Sequence, residues 1–528
     1  MITLEEQQLL EHLAIDEITF AIPAQSFAIA CSISAEEALP VVTEFALRIA
    51  YVCGTLSPMQ IQGFFGFSKK ETDAVIQALL GERLIQWNEE QLELTPYALA
   101  RFQDSSDNLP RFFKIQDWSA EVVFDLISFN PAGRTSRIKR VRSQVELAMR
   151  NFDKQERSIQ FAEQSFQQNF PQICKKEKAE IYKISAVDAG ERFSIPLPCM
   201  FHLDLEGQAS VRRDIDDESF GSRLEISEAI TDALANQERG NNESLRDFIR
   251  NFDDALLGRY VSGDAFDLRR YAQDVHLSKT AVYDDARVMP LLGALHLQGN
   301  ASRLLERIGA ELAQLELTMP DEEGSDRVAG VHESNASATA IPKHLHRDGV
   351  WWAPQLTLWA RSRGARDLLQ KLDQLLEPQV KSAASARKNG MRVVVPGDHR
   401  SSRARLSVYW DLFPRLLGAD VSLMNGNLEL LLVPGLLVCA MFHFHLAHQP
   451  IAVPIGFMSS NPDHLRVASL LLSGKVLAKP GSLVAARDEG GAEAVQDLVL
   501  LLERMSAGAA STSPTLNGRS RLALKKSP

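Results

Sequence analysis

The stretch LPVVTEFALRIAYVCGTLSPMQIQGFFGFSKKETDAVIQALLGERLIQWNEEQLELTP, residues 39–96, carries the clearest fold signal in the sequence. Its apolar residues recur at helical spacing, and two short runs near its end have the composition of β-strands. The helical apolar positions are Phe45, Ile49, Ile61, Phe64, Phe65, Val75, Leu79 and Leu80, and the strand runs are Leu84–Trp87 and Gln91–Leu94. The stretch therefore predicts three short helices followed by a β-hairpin.

Two helix starts in this stretch are marked by capping residues. Ser57 precedes Pro58, which suits an N-cap followed by the first helical position, and Ser68 with Glu71 three residues later forms a capping-box pattern. Three helices followed by a hairpin resemble the winged-helix domains of bacterial proteins. The resemblance covers residues 39–96 and implies a winged helix within an N-terminal region of residues 1–103.

The composition describes a globular protein of several domains. The chain has 528 residues, of which 45% are hydrophobic and 24% charged, and this excludes fibrous and disordered classes. A net charge of -11 argues against a protein that coats nucleic acid along its whole surface. Five widely spaced cysteines, an acidic start without a signal-peptide pattern, and no apolar run long enough to span a membrane predict a cytoplasmic protein without membrane contact.

Residues 133–150, GRTSRIKRVRSQVELAMR, hold the strongest concentration of positive charge. The cations are Arg134, Arg137, Lys139, Arg140, Arg142 and Arg150, opposed by the single acid Glu146. As a helix, this segment would carry cations around most of its circumference, which predicts contact with the phosphates of DNA or another nucleic acid. The alternative interpretation is an ordinary solvated helix face.

Lys69 and Lys70 are further candidates for nucleic-acid contact, because they begin the presumed recognition helix of the winged helix. Their charge is opposed on the same helix and on the hairpin. The opposing acids are Glu71, Asp73 and Glu82 on the helix, and Glu89, Glu90 and Glu93 on the hairpin. Since like charge is unfavourable at an anionic duplex, protein docking is an equal alternative for this module.

Periodicity and composition divide the rest of the chain into regions, and the whole is predicted to be a multidomain α+β protein. The regions are a basic helical segment over 104–180, with a helix at Asp117–Phe129; a middle domain over 181–318, with strands at Ile181–Leu205 and then mainly helices; a linker over 319–340; an α/β domain over 341–505; and a disordered tail over 506–528.

The α/β domain is predicted from short apolar strands that alternate with helices. The strands are Met391–Pro396, Ala419–Met424, Leu428–Val433, Leu436–Phe444 and Ile451–Ile455, with an amphipathic helix at Arg403–Leu417. This order resembles the phospholipase D superfamily, in which a helix leads to a strand, then to a strand with His-x-Lys, then to a strand that ends in a Gly-Ser-x-Asn-like turn.

The resemblance implies a catalytic site in FHFHLAHQPIAVPIGFMSSNPDHL, residues 442–465. His443 or His445 would be the nucleophile, and Gly456, Ser459, Ser460 and Asn461 would form the phosphate-contacting turn. The lysine that should follow two residues after the nucleophile is missing, since His445 and Ala447 stand there. Phosphoryl transfer needs that cation, so a catalytically silent domain is predicted.

Two other interpretations of these histidines stay open. Strand alternation puts His443 and His445 on one face, so the two could bind a metal with His448, or with Asp398 and His399. The alternative, favoured here, places them at the end of a buried strand, hydrogen-bonded to neighbours. We therefore predict neither a metal nor a cofactor.

These observations favour a nucleic-acid-associated accessory protein with a degenerate phospholipase D-like domain. The combination resembles accessory components of bacterial antiphage defence systems, which implies nucleic acid and proteins of the same system as partners. The alternatives are a dimeric phosphodiesterase or nuclease that uses His443 or His445, and a scaffold for protein interactions. A homodimer is compatible with each.

Overall fold

The computed structural model of the protein describes residues 13–37, 39–102, 109–133, 142–150, 152–176, 178–205, 209–215, 217–235, 240–252, 255–262, 265–277, 285–318, 347–377, 390–397, 402–479, 481–486 and 491–511. These residues form a mixed α/β structure with sixteen α-helices and several β-sheets. None of the described helices is long and apolar enough to cross a membrane.

The strands are β1 (Leu13–Glu37), β2 (Thr55–Leu56), β3 (Ile85–Asn88), β4 (Gln91–Leu94), β5 (Phe112–Asp125), β6 (Val145–Glu146), β7 (Glu180–Asp204), β8 (Ser210–Asp214), β9 (Val261–Ser262), β10 (Ala265–Phe266), β11 (Val288–Leu292), β12 (Asp348–Trp352), β13 (Gly390–Pro396), β14 (Leu416–Ala419), β15 (Leu428–Val433), β16 (Leu437–Phe444), β17 (Val453–Ser459) and β18 (Leu483–Ala485). The helices are α1 (Val41–Cys53), α2 (Pro58–Phe65), α3 (Lys69–Gly81), α4 (Pro96–Ala100), α5 (Phe152–Glu156), α6 (Ser158–Ile173), α7 (Glu218–Gly221), α8 (Leu224–Ala235), α9 (Leu245–Phe252), α10 (Ala255–Gly258), α11 (Leu268–Leu277), α12 (Gln298–Thr318), α13 (Arg363–Leu376), α14 (Ser402–Val408), α15 (Pro462–Leu477) and α16 (Gly491–Ser511).

The chain divides into two compact units. The N-terminal unit comprises residues 23–136 and 151–193, and the C-terminal unit comprises residues 1–22, 137–150 and 194–528. The long strands β1 and β7 each contribute residues to both units.

Residues 41–94 form three helices and a small sheet in the N-terminal unit, as the sequence predicts. The sheet has the order β2-β4-β3, so the short strand after α1 joins the β3–β4 hairpin. Both predicted caps are present: the Ser57 side chain accepts from the backbone N–H of Gln60, and Ser68 and Glu71 form a reciprocal capping box. Buried side chains such as Leu47, Ile76 and Leu92 hold the module together.

The helix predicted at Asp117–Phe129 is wrong, because these residues belong largely to the strand β5. β5 pairs antiparallel with β1, from Ala24 opposite Asp125 to Glu37 opposite Phe112. Trp118, Val122 and Phe124 occupy alternate positions that pack against α6, which is the two-residue period of a strand. The predicted strands over Ile181–Leu205 are confirmed as β7.

The basic segment is not a helix where the structure describes it. Residues 142–150 form a turn, the short strand β6 and extended backbone. Val145 pairs with Phe20 of β1, and Leu147 is buried, so the segment pairs by its backbone with the part of β1 that belongs to the C-terminal unit. The residues from Arg134 to Val141 lie outside the described part of the chain.

The C-terminal unit is built on an eight-stranded sheet of order β11-β17-β16-β15-β12-β13-β14-β18. β12, β13 and β14 are parallel neighbours, and the other pairs are antiparallel. The edge strand β11 comes from residues that the sequence placed in the middle domain, and α12 packs on the same core through Leu304 and Ile308. The predicted strands at 391–396, 428–433 and 436–444 are confirmed within a residue.

Three sequence boundaries in this region need correction. The helix predicted over Arg403–Leu417 ends at Val408, and the strand predicted at Ala419–Met424 is instead β14, Leu416–Ala419. β14 is buried throughout, so it lacks the alternation by which a half-exposed strand is recognised. The strand predicted at 451–455 runs from Val453 to Ser459. The predicted linker lies outside the described residues, and the tail predicted from 506 begins as the end of α16.

Candidate functional site

A group of polar side chains lies where the β15–β16 hairpin passes through the core of the C-terminal unit. Strand β15 and the residue before it supply Glu429 and Asn427, and β16 and the residue after it supply His443 and His445. The antiparallel register places Leu428 opposite Phe442, which brings the polar residues of both strands to the same end of the hairpin. Two tight polar pairs result.

Glu429 and His443 form the first pair, and both side chains are buried, at 1% and 4% exposure. The His443 Nε2 lies 2.8 Å from Glu429 Oε2, and the Trp351 Nε1–H donates to Oε1 at 2.8 Å. Trp351 reaches the carboxylate from β12, where it stands opposite Leu431 and therefore beside Glu429 on the same sheet face. Burial alone would raise the pKa of Glu429, but the hydrogen bonds from His443 and Trp351 lower it below its ordinary value.

His445 and Asn427 form the second pair, with the His445 Nε2 3.1 Å from Asn427 Oδ1. Burial, and then the charge of His443, lower the pKa of His445 to about 4, so the ring is neutral at neutral pH. The Asn427 Nδ2 donates to the carbonyl of Asn241, which turns Oδ1 toward the imidazole. A neutral His445 therefore carries its proton on Nε2 and donates it to Asn427.

The loop before α9 fixes the position of His445. The His445 backbone N–H donates to Asn242 Oδ1 at 2.8 Å, and the Asn242 Nδ2 donates to the His445 carbonyl at 2.8 Å. Gly240 lies against the ring: a Cβ at this position would stand 2.1 Å from His445 Nε2. Any side chain at 240 would displace the imidazole.

A second acid–histidine pair lies in the C-terminal unit. The His296 Nε2 is 3.3 Å from Asp16 Oδ1; His296 is buried and Asp16 is partly buried. Burial opposes protonation of His296, but Asp16 and, more weakly, Glu429 raise the pKa of His296 above its ordinary value. The Asp16 carboxylate therefore favours the charged form of His296.

Ser459 and Asn461, the other predicted catalytic residues, do not join this group. β17 runs antiparallel to β16 with His443 opposite Pro454 and Ser459 opposite Val438. The separation of five residue steps from Val438 to His443 corresponds to about 17 Å along the sheet. The structure therefore does not bring together the four residues that the sequence grouped as one catalytic site.

Both residues at the end of β17 have roles in starting α15. Asn461 is the N-cap of α15 and accepts from the backbone N–H of Asp463 at 2.9 Å, while its Nδ2 donates to Asp285 at 2.9 Å. The Ser459 Oγ accepts from the backbone N–H of Asn461 and lies 2.9 Å from His464 Nδ1. The contacts within residues 459–464 fix the turn between strand and helix, and the bond to Asp285 holds this turn to the chain before β11.

The predicted nucleic-acid residues are only partly within the described chain. Arg134, Arg137, Lys139 and Arg140 lie outside it. The Arg142 guanidinium stands 5.2 Å from the Trp410 ring centroid and is exposed. Arg150 is already paired, at 2.5 Å from Asp232 and 2.6 Å from Glu228. Lys69 and Lys70 are exposed at the start of α3, beside Glu71.

The contacts of His443 and His445 confirm the interpretation in which they are hydrogen-bonded to neighbours at the end of a buried strand. Within the described residues, no group of three or more His, Cys, Asp or Glu side chains is arranged to hold a metal ion. His448 is exposed in the following loop, with a positive φ of 63°. Asp398 and His399 lie outside the described residues.

The sequence interpretation missed Asn427 and Glu429, although one signal was present. Glu429 is the single acid in the apolar run LELLLV, and a charge inside a buried strand needs a partner. No protein-family model, curated protein or solved structure matches the chain. What these residues do chemically must therefore follow from their own contacts.

Proposed function

We propose that this protein is a non-catalytic accessory protein that docks a partner protein through residues 39–102. The observation that carries this proposal is the concentration of exposed apolar side chains in that module. Eight of the fifteen large hydrophobic side chains that are exposed among the described residues lie there. They are Val41, Phe45, Val52, Met59, Phe64, Trp87, Tyr97 and Leu99.

Exposed apolar side chains in this number favour a protein partner over DNA. Met59 is 82% exposed and Phe64 is 60% exposed, which leaves apolar surface that a protein interface would remove from water. The hairpin adds the wrong charge for DNA. Hydrogen bonds from Gln86 and Asn88 lower the pKa of Glu93, so this carboxylate stays ionised on the surface that would face a duplex.

The module is proposed to be a winged helix used for protein docking. The order helix, strand, helix, helix, strand, strand and the small antiparallel sheet β2-β4-β3 support this assignment. Its helix α3 presents Lys69 and Lys70 beside Glu71 and Asp73, so the face that would enter a DNA groove has no net positive charge.

The C-terminal α/β sheet is proposed to be a degenerate phospholipase D-like domain. On this proposal the nucleophile position falls at His443 or His445, and the Gly-Ser-x-Asn-like turn falls at Gly456, Ser459, Ser460 and Asn461. The residues two positions after the two histidines are His445 and Ala447, so the cation that phosphoryl transfer needs is missing from both. The Glu429 carboxylate beside His443 would also repel a phosphate, which supports a silent site.

A winged helix joined to a silent phospholipase D-like domain resembles accessory components of antiphage defence systems. The proposed protein partners are therefore products of neighbouring genes. Their co-elution with the full-length chain in size-exclusion chromatography tests the docking function directly.

The variant Met59→Glu/Phe64→Glu places two charges on the docking surface, and we expect it to lose the partner because the charges would be buried on binding. The matched control is Ile159→Glu/Tyr182→Glu, which alters two exposed apolar residues of the same unit outside the module. Circular dichroism checks that both variants fold. Equal co-elution of the two variants, or no complex with any neighbouring product, would contradict the proposal.

A second candidate function, contact with nucleic acid, is favoured by the five cations without an acid in residues 134–142. Fluorescence anisotropy with duplex DNA at several salt concentrations measures it. Reversing the charge at Arg137, Arg140 and Arg142 should weaken binding and reduce the salt slope by roughly 3, since each phosphate contact contributes about 0.9. The candidate fails if the wild-type chain does not bind at low salt.

A further inference from the structure

Arg405, in helix α14 of the C-terminal unit, has a guanidinium edge without an acceptor among the described residues. Its Nε and Nη2 are buried and have no hydrogen-bond partner in that part of the chain. No salt bridge involving Arg405 is found among the described residues, although Arg392 and Arg415 nearby in sequence each have a carboxylate. Nε and Nη2 form the edge of the guanidinium fork that binds two oxygens of a carboxylate or phosphate.

Arg361 is a second cation, and its charge interacts with that of Arg405. Burial and then the charge of Arg405 lower the pKa of Arg361, and among the described residues no carboxylate forms an ion pair with Arg361. Arg361 is held by carbonyl oxygens alone: its Nε donates to Thr357 at 3.2 Å, and its Nη1 donates to Arg142 at 3.1 Å and to Ser143 at 3.2 Å. Carbonyls fix the guanidinium in place but leave its positive charge intact.

Tyr409 packs against these cations without neutralising them. The Arg361 guanidinium lies 5.7 Å from the Tyr409 ring centroid, and the Tyr409 hydroxyl donates to the Trp359 carbonyl at 3.0 Å. The pKa of Tyr409 is raised by burial, so the phenol stays neutral. The site therefore combines two cations with a neutral aromatic wall.

Arg142 supplies a third cation at the exposed edge. Its carbonyl accepts from Arg361, and its own guanidinium stacks on Trp410. Asp411 contacts the backbone of this residue: its Oδ2 accepts from the Arg142 N–H at 3.1 Å. The side chain of Arg142 is left to face solvent.

We propose that Arg361 and Arg405 form a binding site for a phosphate group, with Arg142 at its entrance. A buried guanidinium edge without a hydrogen-bond acceptor, next to a second cation without a carboxylate among the described residues, is unfavourable, and a bound oxyanion would satisfy the free fork of Arg405 and balance both charges. The inference rests on these contacts and stands independently of the protein docking proposed for residues 39–102. Free phosphate or a nucleotide and the backbone of a nucleic acid carry the same group, so experiment must distinguish the two sources.

The test is thermal unfolding of the full-length chain with three probes at matched concentration: inorganic phosphate, ATP, and a single-stranded oligonucleotide. Binding to the folded state raises Tm. We expect a rise for the wild type and for Arg363→Met, an exposed control arginine already near Asp367, and no rise for Arg405→Met. If Tm rises with phosphate or ATP but not with the oligonucleotide, the ligand is a free phosphate compound. If Tm also rises with the oligonucleotide, and this rise depends on Arg405, the ligand is nucleic acid.

Arg405→Met also separates a ligand site from a structural role. Without a ligand, replacing an unpaired buried charge by an apolar side chain should keep or raise Tm, whereas removal of a structural arginine would lower it. Arg405→Lys keeps the charge and loses the fork, so we expect affinity about tenfold weaker. The proposal is overturned if no probe raises the wild-type Tm, or if Arg405→Met and Arg405→Lys respond as the wild type does.

Discussion

Glu429 keeps a negative charge in the middle of a strand whose other residues are apolar. The carboxylate tolerates this position because His443 and Trp351 donate to its two oxygens, each at 2.8 Å. Such a pair stabilises the fold little more than a well-packed apolar pair would, but removal of one member leaves the other buried without its partner. Loss of one member should therefore destabilise the C-terminal unit more than replacement of both members by apolar residues.

Replacement of Glu429 by glutamine should lower the free energy of unfolding by about 3 to 5 kcal/mol, because the buried His443 Nε2 and Trp351 indole N–H lose the carboxylate that accepts from them. Urea unfolding followed by tryptophan fluorescence measures the change, since Trp351 contacts the pair. The double variant Glu429→Leu/His443→Leu should recover most of the loss. The surface change Glu44→Gln, at a half-exposed pair 3.5 Å from Arg48, serves as a control and should cost at most about 1 kcal/mol. A loss in Glu429→Gln no larger than this control would contradict the role assigned to the pair.

At the scale of secondary-structure elements, short-range patterns were readable from the sequence. The caps at Ser57 and Ser68 depend on residues three positions away, so the letters alone predicted both helix starts. The hairpin β3–β4 was predicted for the same reason, since its pairing partners are adjacent in the chain.

Strands whose pairing partners lie far away in the chain could not be predicted from the sequence. β5 was misassigned as a helix because its partner β1 lies about ninety residues away, as in Cys31 opposite Trp118. β11 was assigned to another domain because its partner β17 follows it by more than 160 residues. Local propensity does not register such pairings, and tertiary contacts override it.

The candidate site shows the same limit. Histidines in an apolar strand are easy to notice in a sequence, so His443 and His445 are predicted site residues. The residues that bond to them cannot be predicted in this way. Asn242 contacts His445 across 203 residues, and Asn427 contacts Asn241 across 186. The hairpin register, which the sequence did not specify, decides that Glu429 rather than Ser459 lies beside His443.

At the scale of the whole molecule, buried titratable pairs should shape the dependence of stability on pH. The folded pKa of His445, about 4, lies below its ordinary value of 6.5, so the unfolded chain binds a proton that the folded chain refuses. Stability from this group is complete above pH 6.5 and declines as the pH falls toward 4. Glu429 acts in the same direction, because its folded pKa lies below its ordinary 4.5. His296 acts in the opposite direction: its raised pKa stabilises the fold below 6.5 and this contribution is lost as the pH rises through the folded pKa.

Because these contributions overlap, the difference between two unfolding profiles isolates one group. We expect His445→Gln, which can still donate to Asn427, to flatten the decline in unfolding free energy between pH 6.5 and 4 relative to the wild type. Urea unfolding across this range, with His448→Gln as the matched exposed histidine, measures the difference. If the His445→Gln profile keeps the wild-type slope between these pH values, the imidazole is protonated in the fold and its donation to Asn427 as a neutral group is wrong. If the slope is lost only in His445→Gln, the C-terminal unit holds a neutral His445 beside the same hairpin that carries the ionised Glu429, because burial disfavours the His445 charge and hydrogen bonds stabilise the Glu429 charge.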